Sequence, residues 1–330
     1  MSPYNRTEPH IDFQEEDHPK ERVGIIIFGA GSKRFRSQAL ALREEARQTG
    51  WFDTMLCITD EDDEIFDKLL KPHVKLIQDY RKGFGLWFWK PILIQHALST
   101  RSDIDVWVYA DSGCEISLFG TNRFYNYLKL SVSTGALFFS IPFRERSWTK
   151  HSLFKSLNVS EEDSNTCQVQ ATFFIVRNQE NVLNLIDSWT SLVTEHNYEN
   201  LLEPPKGENS KEGFIEHRHD QSLLSILVKK SEFSVLEWED RFHRSFYVPN
   251  SWVLLYPIHA RRAKYFRVTP FLCHISSFDL CKLNHNNPSS VFKLSVLIVR
   301  CTSNLYAKFR DVFNALKIKN TFPFSGRKND

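Results

Sequence analysis

The stretch IDVWVYADSGCEI, residues 104–116, decides the fold. Its five apolar residues 106–110 predict a strand that is buried on both faces, as in a parallel sheet. Asp111 follows at once, and Gly113 indicates a turn. Ligands of open α/β sheets bind beyond the carboxyl ends of the strands, so Asp111 is a candidate binding residue. The alternative is that Asp111 only caps the following turn.

Strand and helix patterns alternate on the N-terminal side of this stretch. VGIIIFGAG predicts a first strand, and SQALALREEARQTG predicts a helix that Ser37 caps and Gly50 ends. Strands are predicted at 52–59 and 74–80, a short acidic helix at 60–73, and a helix at 91–100. This order predicts an α/β fold with a mostly parallel central sheet flanked by helices.

The rest of the chain has a more mixed pattern. We expect strands at 135–143, 168–178 and within 231–240, helices at 181–196 and 220–230, and a loop at 201–214. Leu305, Phe309, Val312, Phe313 and Leu316 share one helical face. That helix packs on the domain or contacts a membrane surface or partner. The predicted organisation is a tail at 1–21, a catalytic-type domain at 22–267, and a helical C-terminal extension at 268–330.

The amino-acid composition narrows the range of functions and locations to expect for this chain. The chain has 42 basic and 40 acidic residues, a balance that does not favour nucleic-acid binding. Its six cysteines are scattered without C-x-x-C spacing, which favours reduced thiols and a cytoplasmic location. We see neither a secretory h-region nor an uncharged apolar run of about 18 residues, so at most a peripheral membrane contact is expected.

A second block, RKGFGLWFWKPILIQ at 81–95, combines cations, glycines and aromatic residues. Arg81 can form a forked bond to phosphate, and Lys90 can act as a point charge at a helix start. Trp87 and Trp89 can line a site for a base or sugar. The alternative is that the aromatic side chains are ordinary core.

A third block, FGAGSKR at 28–34, places Gly29 and Gly31 directly after the first strand. Arg34 stands where a dinucleotide fingerprint has its third glycine, which disfavours NAD binding. Nucleotide phosphates near this turn and a plain tight turn both remain open.

A fourth block, EHRHDQS at 216–222, precedes an apolar helix. Asp220 caps that helix or serves as a general base. His217 and His219 lie two residues apart and do not share a helical face, which disfavours a two-histidine metal site. His259 begins a basic strip that can meet substrate phosphates or simply face solvent.

These blocks, in this order, resemble nucleotide-sugar glycosyltransferases with the GT-A (Rossmann-like) fold, over about residues 23–265. The resemblance implies a donor site that comprises Gly29, Arg81, Trp87, Lys90 and Asp111, and a catalytic Asp220. It also makes Asp111 the first acid of a D-x-D metal motif. Gly113 occupies the place of the second acid, so Glu115 is a candidate substitute, with His259 as a further metal ligand and Mn²⁺ or Mg²⁺ as the cofactor.

The implied reaction moves a sugar from a nucleotide-diphosphate sugar to a hydroxyl of a glycan or glycolipid, as in polysaccharide biosynthesis. The leaving diphosphate gathers negative charge, so cations aimed at it lower the barrier. A sugar-1-phosphate nucleotidyltransferase is an alternative, suggested by the glycine turn. A non-catalytic carbohydrate-binding protein is another, suggested by Gly113.

Overall fold

The computed structural model describes residues 21–61, 63–204, 213–237 and 256–260. The predicted extension at 268–330, with its amphipathic helix, lies outside the described residues, as does the predicted tail except for Glu21. The Glu21 carboxylate pairs with the Arg177 guanidinium at 2.6 and 2.9 Å.

A central sheet of seven strands organises the described chain, with strand order β2-β1-β3-β7-β5-β6 and β8 beside β5. β1 is parallel to β2 and β3, and β5 is parallel to β8, whereas β7 and β6 run antiparallel to their neighbours. Most strands therefore share one direction. The strands are β1 Val23–Gly29, β2 Thr54–Thr59, β3 Val106–Ala110, β4 Glu115–Ile116, β5 Ala136–Arg144, β6 Cys167–Val169, β7 Phe173–Arg177, β8 Ser234–Glu237 and β9 Ile258–His259. β4 and β9 form a separate antiparallel pair.

Helices cover both faces of this sheet. The helices are α1 Lys33–Thr49, α2 Glu64–Leu69, α3 Val74–Asp79, α4 Gly83–Leu86, α5 Trp89–Thr100, α6 Thr121–Val132, α7 Glu145–Trp148, α8 His151–Ser156, α9 Glu161–Asn165, α10 Glu180–Thr194 and α11 His219–Lys229. Short 3-10 turns span Lys71–His73, Leu118–Gly120 and His196–Leu201. Within the described chain, each helix is too short or too polar to cross a membrane. The predicted α/β class, with a mostly parallel central sheet flanked by helices, is confirmed.

Strand β3 shows why the sheet must be covered on both sides. Trp107 and Tyr109 point into a core formed with α5, α10 and α11. Val106 and Val108 point the other way, into a core formed with α1 and α6. All of β3 is buried, because successive strand residues alternate between two apolar layers.

Several local predictions are wrong for identifiable reasons. The predicted strand at 74–80 is instead helix α3, because the 3-10 turn that contains Pro72 continues directly into it. Leu76 is buried in the core, and Ile77 packs against that core. Helix α1 begins one turn earlier than predicted, since Ser32 rather than Ser37 accepts the bond from Phe35 N at 3.4 Å. The predicted strand at 168–178 is divided into β6 and β7.

The capping assignment of α1 is testable. Ser32→Ala is expected to lower the free energy of unfolding by about 0.5–2 kcal/mol, because a helix N–H loses its acceptor. Ser37→Ala, on the exposed side of the same helix, is expected to leave stability unchanged or raise it by about 0.5 kcal/mol. Urea unfolding monitored by circular dichroism measures both, and equal losses for the two variants would contradict the assignment.

Candidate functional site

A buried ammonium group forms the centre of the candidate site. Lys90 is 3% exposed. Its Nζ lies 2.9 Å from the Ala171 carbonyl oxygen, 3.0 Å from Asp220 Oδ2 and 3.3 Å from Asp111 Oδ1. The contact with the Ala171 carbonyl is a hydrogen bond, and the two carboxylates form ion pairs with the ammonium. The structure thus brings together three of the predicted site residues at one point.

Helix α5 explains why this lysine needs two acids. Lys90 is the second residue of the helix and precedes Pro91. The positive end of the helix dipole disfavours a cation there, and burial adds a desolvation cost. Carboxylates from two other elements offset both effects. Aromatic rings complete the surroundings, with Nζ 5.5 Å from the Tyr109 ring centroid and 5.9 Å from that of Trp89.

Asp111 lies immediately beyond β3, as the sequence predicts. Its backbone N–H donates to the Thr172 carbonyl at 2.9 Å, which ties the end of β3 to the start of β7. Its Oδ1 accepts a hydrogen bond from the Tyr109 hydroxyl at 2.6 Å in addition to its contact with Lys90. The side chain is 28% exposed, against 4% for Lys90 and Asp220. Asp111 is therefore the carboxylate of the cluster that faces outward.

The break between β6 and β7 supplies the third oxygen. Residues 170–172 belong to neither strand, although Gln170 N still donates to the Phe139 carbonyl of β5 at 2.8 Å. This irregularity turns the Ala171 carbonyl toward Lys90. A continuous strand, which the sequence predicted, would commit that carbonyl to a neighbouring strand.

Asp220 is positioned by the first turn of α11. Buried Glu145 holds that helix: its Oε2 accepts from Ser225 Oγ at 2.5 Å and from the Lys229 ammonium at 2.5 Å. Its Oε1 accepts from Gln168 at 2.9 Å, which links α11 to β6. This network holds the middle and the end of α11 against β6, and the helix in turn places the Asp220 carboxylate beside the sheet.

Burial sets the proton affinities of the cluster. Burial raises the pKa of Asp220 from 3.8 to about 7, and the nearby Asp111 adds to the rise while Lys90 opposes it. Burial alone would lower the pKa of Lys90, but the two carboxylates outweigh it and raise that pKa. Burial, reinforced by Asp111, raises the pKa of Tyr109 well above its usual range. Lys90 and Tyr109 therefore keep their protons at neutral pH, while Asp220 titrates there.

A left-handed turn leads into the lysine. Residues 83–87 all have positive φ, from 54° at Phe84 to 85° at Gly85. Non-glycine residues adopt this conformation at a cost of about 1–2 kcal/mol each, so tertiary contacts must hold the turn. Phe84 packs against Gly31 of the predicted glycine turn, where an added Cβ would lie 2.7 Å from the ring. Trp87 lies against the His219 ring, with centroids 5.8 Å apart.

Two predicted donor-binding residues, Gly29 and Arg81, differ from the Lys90 cluster in what they contact. Gly29 allows α1 to approach β1, since an added Cβ would lie 2.3 Å from the Phe35 carbonyl oxygen. The N–H of Gly31 already donates to Asp60 at 2.9 Å. These contacts favour the tight-turn interpretation of the block. Arg81 is exposed, and its guanidinium has no partner among the described residues, so its phosphate role stays a prediction.

The predicted metal ligands do not form one site. Glu115 and His259 are buried and lie opposite each other in the β4–β9 pair. Asp111 instead directs Oδ1 to Tyr109 and Lys90. In the described ranges, the three acidic or imidazole groups close enough to share an ion are Glu203, Glu216 and His219. Asp111, Glu115 and His259 are thus not grouped as a joint ligand set among the described residues, and their role in metal binding stays a prediction.

Sequence reasoning missed several participants. Glu145 belongs to no motif and lies between two arginines, so its buried position could not be recognised from the sequence. The Ala171 carbonyl is a backbone group, so a pattern of residue types gives no indication of its role. Tyr109 looked like ordinary strand core, although an aromatic hydroxyl two residues before an acid on a strand shares its face.

Comparisons with known proteins add a limited finding. Neither the scan against protein-family models nor the search of curated proteins gives a match. Among solved structures, one neighbour is described as a glycosyltransferase involved in the glycosylation of the major capsid of PBCV-1. It has a TM-score of 0.37 and 11% identity, and the alignment covers 66% of this chain and 81% of the neighbour. At this similarity, the site geometry must carry the functional argument.

The raised pKa of Asp220 predicts a pH dependence of stability. The folded state binds this proton more tightly than the unfolded state, so the stabilisation is complete below pH 3.8 and is lost as the pH rises to about 7. As the pH rises from about 5 to 7, wild type should lose this stabilisation, whereas Asp220→Asn should not. The free energy of unfolding of the variant minus that of wild type should therefore increase by up to about 1.4 kcal/mol per pH unit over this range.

Urea unfolding at several pH values measures this effect. Asp187→Asn, which removes an exposed carboxylate on α10, is the matched control and should run parallel to wild type. A pH-independent difference between Asp220→Asn and wild type would contradict the assignment.

Proposed function

We propose that this protein is a glycosyltransferase that moves a sugar from a nucleotide-diphosphate sugar to a hydroxyl of a glycan or glycolipid. The observation that carries the proposal is the Lys90 ammonium held between Asp111 and Asp220 at the carboxyl end of the central sheet. Ligands of open α/β sheets bind at this edge. The order of the sequence blocks that meet there supports the same assignment.

The exposure of the three side chains suggests how they divide the work. Asp111 faces outward, so its Oδ2 is the group that contacts a sugar hydroxyl and accepts the proton of the attacking acceptor. The acceptor oxygen bonds to the anomeric carbon as the bond from that carbon to the diphosphate breaks. Asp220 lies behind Lys90 and is 3% exposed, so we assign it a positioning role rather than the direct base role expected from the sequence.

Asp220 regulates Asp111 through the lysine. When Asp220 is protonated, Lys90 pairs with Asp111 alone and holds its carboxylate in that ion pair. When Asp220 ionises, the ammonium is shared between two carboxylates, which leaves Asp111 less tightly paired and freer to meet the acceptor hydroxyl. Arg81 is exposed and precedes Lys90 in the same sequence block, so it is available to bind the leaving diphosphate.

A divalent cation does not fit the ligand set that the sequence suggested. Hard cations such as Mg²⁺ take about six oxygen ligands, and Mn²⁺ favours similar donors. Asp111 retains only Oδ2 for such an ion, and Lys90 already occupies the cationic position beside it. No step of the proposed reaction is therefore assigned to a metal at Asp111.

The glycine turn gives the nucleotidyltransferase alternative little support. That alternative needs free backbone N–H groups after β1 to hold triphosphate oxygens. The Gly31 N–H is bound to Asp60, and the same carboxylate pairs with Arg36 at 2.9 Å. The Gly31 N–H is thus already bound by a carboxylate that follows β2.

A donor screen tests the proposal. The full chain is incubated with common nucleotide-diphosphate sugars, with and without Mn²⁺, and release of nucleoside diphosphate is measured. We expect release with at least one donor. Pyrophosphate release from triphosphate plus sugar 1-phosphate would instead establish the alternative, and absence of both reactions would favour a non-catalytic sugar-binding protein.

Variants of the two acids test the division of roles. Asp111→Asn is expected to lower donor turnover about 10²–10⁴-fold in protein that keeps the wild-type circular dichroism spectrum, because the proton acceptor is removed. Wild-type turnover in that variant would refute the role.

For the positioning role, the turnover of wild type should rise with pH through about 7, as Asp220 ionises. Asp220→Asn should stay at the low-pH rate throughout, whereas the exposed variant Asp187→Asn should retain the wild-type profile. An unchanged pH profile in Asp220→Asn would show that Asp220 acts only in folding.

A further inference from the structure

A second polar cluster lies next to the lysine site and is not used by the proposed reaction. Glu203, Glu216 and His219 each offer one ligand atom, and these atoms lie within 4.8 Å of one another. His219 directly precedes Asp220 and packs against Trp87. Glu203 and Glu216 belong to the chain segments that surround the start of α11.

The imidazole of His219 is oriented as a ligand. Its Nδ1 lies 2.7 Å from the Leu201 carbonyl oxygen, which can only accept, so Nδ1 carries the proton. Its Nε2 therefore holds a lone pair, and it is buried without a hydrogen-bond partner among the described residues. Metal-bound histidines commonly donate their other N–H to a carbonyl in this way.

The carboxylates face this lone pair. Glu203 Oε1 lies 3.7 Å from His219 Nε2, while its Oε2 accepts from His217 N at 3.2 Å. Two ligand atoms that bind one tetrahedral ion at about 2.0 Å lie about 3.3 Å from each other. A small side-chain movement would therefore bring Glu203 Oε1 and His219 Nε2 to the separation that such an ion requires. Glu203 and Glu216 are partly exposed, which leaves the cluster an opening toward solvent.

The backbone at this histidine is strained. His219 has a φ of 47°, in the left-handed region, at the first position of α11. Such a conformation costs on the order of 1–3 kcal/mol and occurs often at ligand sites. Here it directs Nε2 toward Glu203, whereas the neighbouring His217 is satisfied, with its Nε2 2.9 Å from the Asn200 carbonyl oxygen.

We propose that Glu203, Glu216 and His219 bind one divalent transition-metal ion of the Zn²⁺ or Mn²⁺ class. One imidazole and two carboxylates suit such ions better than Ca²⁺, which takes oxygen ligands only. Three protein ligands leave at least one position for water or an anionic substrate oxygen. The site goes beyond the proposed transferase reaction and does not depend on it.

Lys82 modulates the site. Its ammonium pairs with Glu216 Oε1 and so competes with an incoming cation. Two carboxylates with one ammonium give the cluster a net charge of −1, which still favours a divalent ion. Removal of the lysine charge should raise metal affinity.

Equilibrium dialysis of the full chain against Co²⁺ or Zn²⁺ alone tests the proposal, with visible absorption of Co²⁺ to report nitrogen and oxygen ligation. Wild type should bind one equivalent. Glu203→Gln, a conservative change at a half-exposed position, should weaken binding at least 10-fold, and Lys82→Met should strengthen it. Glu199→Gln removes an exposed carboxylate four residues away and should bind as wild type does.

Further outcomes separate this site from the lysine cluster. Asp111→Asn should retain the full equivalent of metal, and its loss in that variant would place the ion at the strand end and overturn the proposal. No bound metal in wild type, or wild-type affinity in Glu203→Gln, would overturn it as well. Donor turnover is measured separately, so either proposal can fail while the other stands.

Discussion

The described structure depends on how one buried positive charge is satisfied. An ammonium at the start of a helix, in an apolar layer, is unfavourable on two counts, since the helix dipole and desolvation both oppose it. Lys90 is stable there because β3, α11 and the break after β6 each deliver one oxygen to it. The three elements are far apart in sequence, so the lysine fixes their mutual position as well as the chemistry at the sheet edge.

Strained backbone surrounds this charge. The left-handed turn at 83–87 and the left-handed His219 meet where the Trp87 ring lies against the imidazole. Each conformation is costly alone, and packing holds both. Strain concentrated beside a buried ion cluster is the pattern expected where side-chain direction matters more than stability.

Much of the fold could be predicted from the sequence because β1 and β3 are continuous apolar runs and their neighbours have helical periodicity. The boundaries of β3 and the positions of Asp111 and Lys90 followed from local pattern alone. The break at 170–172 could not be predicted, since tertiary contacts decide it, whereas helix α3 was missed because it continues a 3-10 turn that contains Pro72. The metal cluster was missed for a similar reason: Glu203 and His219 are separated by a long polar segment, and only the fold brings their ligand atoms together.

The pairing of β4 with β9 has a consequence for the extent of the folding unit. β4 follows the Asp111 turn by only a few residues, yet its partner strand, Ile258–His259, comes near the end of the described chain. Without β9, Glu115 would lose the neighbouring strand that pairs with it, and the turn after Asp111 would lose the strand pairing that follows it. A shortened chain that stops before Ile258 would therefore have a less rigid sheet edge, even though it still contains every strand of the central sheet.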